Sequence, residues 1–331
     1  MARTGITLGG RSDLTPGQMV EMVRLAEEKG YESAWTGESW GREALTMLTM
    51  FACNTERIKL GTGIVNVFSR TPGTIAQGIA TLDEVSGGRA ILGLGTSGAL
   101  VIEQWHGVKY ERPLLRTREY IQVIRQALAG QRVDYDGEIV KVKRFRLGTT
   151  PVQKRIPIYI AALGPKNLGL TGELADGWLP IYVHVRELPG LVAQVEAGAR
   201  SAGRSIRDVT VAPYIMANVG RDVEKARNLM RMHLAYYIGS MGTYYHELMK
   251  RYGFVKEADA VRAAWETDRK RSAQLVTDAM LDAVSIAGGR EECRMRLEEY
   301  RSRGTDMPVL SFPHGSTLEM AMETIEALAP E

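Results

Sequence analysis

Short apolar or β-branched runs alternate with longer amphipathic stretches along this chain of 331 residues. Such alternation is typical of repeated βα units, in which parallel strands are joined by helices. Eight runs have this character, at residues 4–8, 33–37, 60–64, 90–94, 158–161, 177–180, 210–218 and 308–311. The pattern predicts an α/β fold, a (β/α)8 TIM barrel with insertions, formed by a single domain over residues 1–331.

Local helix signals and two interruptions refine this prediction. Thr15-Pro16 and Thr71-Pro72 each place a capping threonine before a proline at the first helical position. The first pair predicts a helix over residues 16–29. A stretch of alternating Val and Lys around Tyr-Asp-Gly-Glu predicts a hairpin insertion at about 131–146, and residues 223–281 are long enough for a helical insertion.

Composition narrows the partners that such a chain can have. The net charge is +3 with a pI near 8.8, and neither value is typical of a nucleic-acid binder. The sequence has no apolar run of membrane-spanning length and no metal-ligand spacing around Cys53 or Cys293. We therefore expect a soluble, cytoplasmic protein with reduced thiols, without a metal, nucleic acid or membrane partner, acting on a small molecule.

Two glycine-containing segments follow predicted strands. Gly93-Leu-Gly-Thr-Ser-Gly98 matches the dinucleotide pattern G-x-G-x-x-G, but the stretch 104–113 after it reads as a loop where a dinucleotide fold needs a helix and strand. In a barrel the same glycines would let the backbone approach a flat ligand. The second segment, 61–72, is a polar, bulky loop in which Asn66 and Ser69 either satisfy backbone groups or contribute to a site.

The segment 60–72 resembles the third-strand region of the bacterial luciferase-like superfamily, specifically its deazaflavin-dependent oxidoreductases and the methylenetetrahydromethanopterin reductase group. Further matching segments occur in the same order at 30–39, 80–89, 105–108, 116–120, 158–166 and 175–177. The resemblance spans most of residues 3–220 and resumes near 288–310. Taken together, these segments are specific to this superfamily. Taken singly, only the loop after strand three is specific to it.

The resemblance implies where the cofactor is held. A non-prolyl cis peptide at Gly63-Ile64, followed by Val65, would form a bulge behind the cofactor ring. The glycine loop after the fourth strand would contribute Thr96, Ser97 and Gly98. The cofactor phosphate would lie at a helix start in the loop after strand five, formed by Ala162, Leu163, Gly164, Pro165 and Lys166.

Two residues are candidates for catalysis. Glu38 follows strand two, where relatives carry an acid beside the reactive edge of the cofactor, and it would orient the ligand or donate a proton. His106 follows Trp105 and would contact substrate or donate a proton. Some relatives carry a carboxylate in the loop after the fourth strand, whereas residues 96–99 of this chain contain none. Proton transfer is therefore not assigned to that loop.

Three hypotheses for function follow. The first is an oxidoreductase that binds coenzyme F420 and moves a hydride between C5 of the deazaflavin and a small organic substrate. The second is an FMN-dependent luciferase-like monooxygenase, and the third is a barrel that binds an anionic metabolite without catalysis. The family's usual homodimer would pack through helices two and three, with the apolar positions Leu45, Leu48, Phe51, Ile75 and Ile79.

Overall fold

A computed structural model describes residues 2–9, 14–38 and 41–331. The strands within these residues are β1 Gly5–Thr7, β2 Ser33–Thr36, β3 Lys59–Thr62, β4 Val65–Asn66, β5 Ala90–Gly95, β6 Val133–Asp136, β7 Lys141–Phe145, β8 Ile158–Ile160, β9 Gly177–Trp178, β10 Thr210–Val211, β11 Tyr214–Val219, β12 Ser285–Gly288 and β13 Val309–Ser311. The α-helices are α1 Pro16–Glu28, α2 Ala44–Ala52, α3 Pro72–Val85, α4 Pro113–Leu128, α5 Pro165–Leu174, α6 Leu188–Ser201, α7 Val223–Ser240, α8 Tyr244–Arg251, α9 Val255–Trp265, α10 Arg269–Gln274, α11 Asp278–Val284, α12 Arg290–Ser302 and α13 Leu318–Ala327.

The strands other than β6 and β7 form one curled parallel sheet. Its order is β10-β9-β8-β5-β3-β2-β1-β13-β11-β12, with β4 paired to β5. β10 and β11 are consecutive segments of one extended stretch; β10 pairs with β9 and β11 pairs with β13. The chain therefore has the predicted α/β class, with a parallel sheet that curls and helices between its strands.

Most elements lie where the sequence predicts them. Each of the eight predicted runs contains a strand, and the run at 210–218 is divided between β10 and β11. Helix α1 begins at Pro16, where the Thr15 hydroxyl accepts the Gln18 amide and the Gln18 side chain accepts the Thr15 amide. This capping box satisfies two amides that the first helical turn leaves without intrahelical partners.

Side chains on the two faces of the sheet form separate cores, because successive residues of a strand point to opposite faces. The face toward the helices carries the largest cluster, to which Ala34 and Leu60 belong. The inner face carries a smaller cluster, formed by Trp35, Ile91, Tyr159, Leu179, Ala212, Met307 and Val309. Three half-buried residues pack on this inner cluster, namely Ile64, Ala161 and Tyr214.

Two segments depart from the βα rhythm where the sequence predicted insertions. β6 and β7 form an antiparallel hairpin outside the main sheet. The helices α7 to α11 occupy the predicted helical region and bury a second apolar cluster with Tyr182 and Met216. β12, which follows α11 directly, was not predicted.

Most of the apolar residues predicted at a dimer interface are buried within their own chain, which corrects that prediction. Leu48 and Phe51 have no exposed surface, and Ile75 and Ile79 are at most 1% exposed, because they pack in the core of their own chain. Leu45 is half-buried and lies against Gly78. These residues do not form an exposed apolar face, and the homodimer remains a prediction.

Two further findings concern partners and thiols. Among residues 2–9, 14–38 and 41–331, no helix combines the length and the apolarity needed to cross a bilayer. Cys53 is exposed, whereas Cys293 is buried in α12, and both are free thiols.

The hairpin is held to α4 by one buried carboxylate. Glu119, 3% exposed, accepts the amides of Glu138, Ile139 and Val140 at 2.7 to 3.0 Å. Burial alone would raise the pKa of Glu119, but the three amides outweigh it and the net pKa is lowered. A side chain on Gly137 would collide with this carboxylate, since its Cβ would lie 2.6 Å away.

We therefore expect Glu119→Gln to lower the free energy of unfolding by about 1–3 kcal/mol at pH 7, because the buried amides lose a charged acceptor. The folded-state pKa lies below the unfolded value of about 4.3. The stabilisation is thus present above that value and is lost as pH falls through the folded pKa. Urea unfolding at pH 7 and below pH 4 measures this difference. Glu138→Gln, whose side chain is 66% exposed, is the matched control, and an equal loss in both variants would contradict the assignment.

Candidate functional site

The predicted site residues lie at one edge of the sheet. Glu38 follows β2, Gly63 and Ile64 follow β3, and residues 96–98 follow β5. Residues 162–166 follow β8. Because these strands are parallel, their carboxyl ends face the same side, which is where sites of this fold class are built.

The loop after β3 contains the predicted cis peptide bond, between Gly63 and Ile64. Pairing of β3 with β5 ends at Gly61 and resumes when β4 places Val65 opposite Leu94. Ile64 is half-buried, whereas Val65 has no exposed surface and lies in the outer core. Val65 therefore supports the bulge from behind, and Ile64 is its accessible side chain.

Thr62 spans the gap in the ladder. Its hydroxyl donates to the Gly93 carbonyl and accepts the Gly93 amide, both at 2.8 Å. A Cβ on Gly93 would lie 1.9 Å from the Thr62 carbonyl oxygen. The first glycine of the G-x-G-x-x-G match therefore permits strand contact and is not available to a ligand.

Glycines on both sides make room for the bulge. A Cβ on Gly37 would lie 2.2 Å from the Gly63 carbonyl oxygen, and the Glu38 amide donates to the Ile64 carbonyl at 3.2 Å. A Cβ on Gly95 would lie 3.0 Å from the Ile64 side chain and 3.4 Å from that of Ala161. Ile64 and Ala161 are thus close neighbours, and together they form an apolar surface at the carboxyl edge.

Gly63 itself faces the buried hydroxyl of a half-buried tyrosine. A Cβ at this position would lie 1.6 Å from the Tyr214 hydroxyl oxygen, which occupies the space that a side chain would need. Burial raises the pKa of Tyr214, so the phenol is neutral at physiological pH. Sequence analysis did not identify Tyr214, because nothing in the pattern of β11 indicates which strand residue lies beneath the bulge.

Glu38 is held by an arginine from the neighbouring loop. Its two carboxylate oxygens accept from the Arg70 guanidinium at 2.5 and 2.6 Å, and one also accepts the Ala44 amide at 3.2 Å. The two side chains are 15% and 19% exposed. These hydrogen bonds raise the pKa of Arg70. A bidentate pair of this kind fixes both groups in orientation, so the geometry favours an orienting role for Glu38 over proton donation.

The polar loop after β4 is ordered by its own side chains. The Asn66 side-chain oxygen accepts the amides of Phe68 at 2.9 Å and Ser69 at 2.7 Å. The Phe68 ring stacks on Tyr110, with centroids 5.1 Å apart, and Arg116 lies 4.7 Å from the Phe68 centroid. Asn66 therefore satisfies backbone groups, as one of the two sequence interpretations proposed.

The loop after β5 contacts Tyr110, the residue on which Phe68 stacks. The Tyr110 hydroxyl donates to the Thr96 hydroxyl at 3.1 Å, and Ser97 has a left-handed backbone with φ of 56°. A Cβ on Gly98 would meet no atom within 4 Å. Thr96, Ser97 and Gly98 thus form an open, backbone-rich surface beside the bulge.

His106 follows an element that the sequence did not predict. Residues Val101–Trp105 form a single π-helical turn, and the His106 ring stacks on Trp105 with centroids 5.0 Å apart. Trp105 is 47% exposed and His106 is half-buried. The imidazole is therefore accessible, although no contact joins it to Glu38.

The loop after β8 leads into a helix start suited to an anion. Gly164 is the N-cap of α5, no side chain caps this end, and the first turn contains no acidic residue. A Cβ on Gly164 would meet no atom within 4 Å, and Pro165 and Lys166 are exposed. Uncapped first-turn amides and the helix dipole together favour a bound anion.

The backbone before this helix is anchored from below. The Trp178 indole donates to the Ala162 carbonyl at 2.8 Å, and the Asn167 side chain donates to the Ala161 carbonyl at 3.4 Å. Ala162 is 4% exposed, whereas Leu163 is half-buried. Within the described residues, no group of three or more His, Cys, Asp or Glu side chains is placed to hold a metal.

Comparison with known proteins finds relatives that match along almost the whole chain. The 5,10-methylenetetrahydromethanopterin reductase of Archaeoglobus fulgidus is 36% identical over 311 residues, covering 92% of each chain. The corresponding enzyme of Methanolobus tindarius is 34% identical, covering 93% of this chain and 94% of that one. The solved structure of the coenzyme F420 dependent tetrahydromethanopterin reductase of Methanopyrus kandleri matches with a TM-score of 0.89 at 30% identity, over 99% of this chain and 98% of that one.

These relatives confirm the resemblance predicted from the loop after strand three. The profile of the luciferase-like monooxygenase family matches residues 2–307, which include every predicted site residue. The chain belongs to the luciferase-like monooxygenase family.

Proposed function

We propose that this protein binds coenzyme F420, an 8-hydroxy-5-deazaflavin, and transfers a hydride between C5 of its ring and a small organic substrate. The observation that carries the proposal is the pairing, at one sheet edge, of the accessible apolar surface at Ile64 and Ala161 with the uncapped start of α5 at Gly164. The F420-dependent reductase among the similar structures supports the choice of cofactor. We also infer that the curled sheet closes as a (β/α)8 barrel, since residues 210–219 are bonded to strands on both sides.

The residues present fit the chemistry of this cofactor. A flat tricyclic ring requires an apolar surface without projecting side chains. Ile64 and Ala161 supply apolar side chains, and Gly98, whose Cβ would meet no atom within 4 Å, leaves open space in the neighbouring loop. A phosphate requires amide donors and no competing carboxylate, which the first turn of α5 offers. Lys166, exposed at that turn, adds a positive charge.

When bound, the deazaflavin supplies the hydride chemistry, and the protein supplies position and exclusion of water. Ile64 and Ala161 would cover one face of the ring. Glu38, held in place by Arg70, would orient the reacting edge of the ring through its carboxylate oxygens. His106 has an accessible imidazole at the same edge and would hold the proton that accompanies hydride transfer.

The cofactor is tested by titrating the purified protein with oxidised F420 and, separately, with FMN, while ligand fluorescence is followed. We expect saturable F420 binding with one site per chain, at least about tenfold tighter than FMN, or about 1.4 kcal/mol in binding free energy. Micromolar FMN binding with none for F420 would replace the proposal with a flavin-dependent monooxygenase. Absence of binding to either cofactor would favour a barrel without redox catalysis.

The phosphate position is tested by Gly164→Asp. The extended backbone of Gly164, with φ −85° and ψ 149°, accepts aspartate as an N-cap, so the fold is retained. The new carboxylate would occupy the amides and repel the phosphate, and we expect F420 affinity to fall at least about tenfold.

Gly289→Asp is the matched control. Gly289 is likewise an extended N-cap without a side-chain cap, at the start of α12. We expect this variant to bind F420 as the unmodified protein does, with fluorescence titration and thermal unfolding measured on all three proteins. If the Gly164→Asp variant and the unmodified protein bind F420 with equal affinity, the phosphate is not bound at the start of α5.

A further inference from the structure

A cavity lies outside the proposed cofactor site. It has a volume of about 820 Å³ and lies between α7, the region from the end of α9 through α10, and the loop after β13. The lining side chains among the described residues include Met232, His233, Tyr236, Trp265, Arg269, Lys270 and His314. None of them is a residue assigned to F420. A volume in this range suits a small organic ligand.

Aromatic rings form much of the cavity wall. The Tyr236 ring lies 5.7 Å from that of Trp265, at 67°, and 5.3 Å from that of His314. The His233 and His314 rings are 4.6 Å apart, at 80°. Edge-to-face packing of this kind holds the rings in fixed positions and offers flat surfaces to an aromatic ligand.

Hydrogen bonds from His233 stabilise the base of the cavity. Its Nδ1 accepts the His314 amide at 3.0 Å, so the proton resides on Nε2, which donates to the Tyr182 hydroxyl at 2.8 Å. Burial lowers the pKa of His233, which keeps the ring neutral. The loop after β13 is thereby tied to α7, and the cavity is formed before any ligand arrives.

The charged side chains at the cavity rim are positive. Arg269 and Lys270 are exposed at the start of α10, and the Arg269 guanidinium lies 5.2 Å from the Trp265 ring centroid. The nearby Asp268 carboxylate is engaged as the N-cap of α10, accepting the Arg271 amide at 2.9 Å. Within the described chain no carboxylate lines the cavity, so its electrostatic field favours an anion.

We propose that this cavity binds a small aromatic carboxylate. The ring lies among Tyr236, Trp265 and His314, and the carboxylate pairs with Arg269 and Lys270. α7 follows β11 and His314 follows β13, so the ligand is held at the same edge of the sheet as the cofactor site. This carboxylate site is separate from the proposed redox function and shares no residue with the proposed F420 site.

The first test measures binding of 2-naphthoate by isothermal titration calorimetry, without F420, and compares its neutral isostere 2-naphthamide. We expect one site per chain and at least about tenfold tighter binding of the carboxylate, because only the anion pairs with the two cations. Arg269→Gln should weaken naphthoate binding at least about fivefold. Arg271→Gln, on the same short helix but outside the cavity, is the control and should change it less than about twofold.

The second test changes the rim charge without disturbing the core. Met232 lines the cavity but is 59% exposed, so Met232→Glu and Met232→Lys should both fold. Glutamate should weaken naphthoate binding and lysine should strengthen it, each about threefold or more. Equal affinity for acid and amide, or equal affinity of these two variants, would overturn the proposal. Because F420 is absent from these titrations, a negative result would count against the carboxylate site and leave the redox proposal unaffected.

Discussion

The parallel ladder between β3 and β5 is interrupted for three residues, and one threonine side chain keeps the two strands together across the interruption. The Thr62 hydroxyl replaces both backbone bonds of Gly93, so the chain can bulge toward the carboxyl edge without leaving buried amide and carbonyl groups unpaired. The bulge in turn requires glycine at 37, 63 and 93, because neighbouring atoms occupy the space of each Cβ, and at Gly95 a Cβ would press against the Ile64 side chain at 3.0 Å. The position of Ile64, and with it the apolar surface of the site, depends on this arrangement.

Contacts between loops link the bulge to the ends of the neighbouring strands. Arg70, at the end of the loop that begins with the bulge, reaches Glu38 after β2, while Phe68 stacks on Tyr110 and so meets the loop after β5. Three strand ends are therefore linked by one charged pair and one aromatic pair. The remaining element, the start of α5, is positioned separately by the Trp178 indole and the Asn167 amide.

The strands and the loop after β3 were predictable from the sequence because they depend on local pattern. Threonine-proline caps, alternating apolar runs and glycines near strand ends predicted α1, α3 and the main strands of the parallel sheet. β12 was missed because Ser-Ile-Ala-Gly contains one β-branched aliphatic residue and follows α11 directly, so it reads as a continuation of the helix. The Glu38–Arg70 pair joins positions 32 residues apart, and no periodicity indicates such contacts. Four of the five residues predicted at a dimer interface were wrong, because apolar character alone does not separate a core helix face from an exposed one: Phe51 and Ile79 are fully buried in their own chain.

We propose that the surface at Ile64 and the start of α5 hold one molecule of F420, and a crystal structure of the protein with F420 bound is the decisive test. We expect the deazaflavin ring against Ile64 and Ala161, with its phosphate at the amides following Gly164. A ring bound in the aromatic cavity beside Tyr236 and Trp265, or a phosphate held away from α5, would show that F420 is not held in this way.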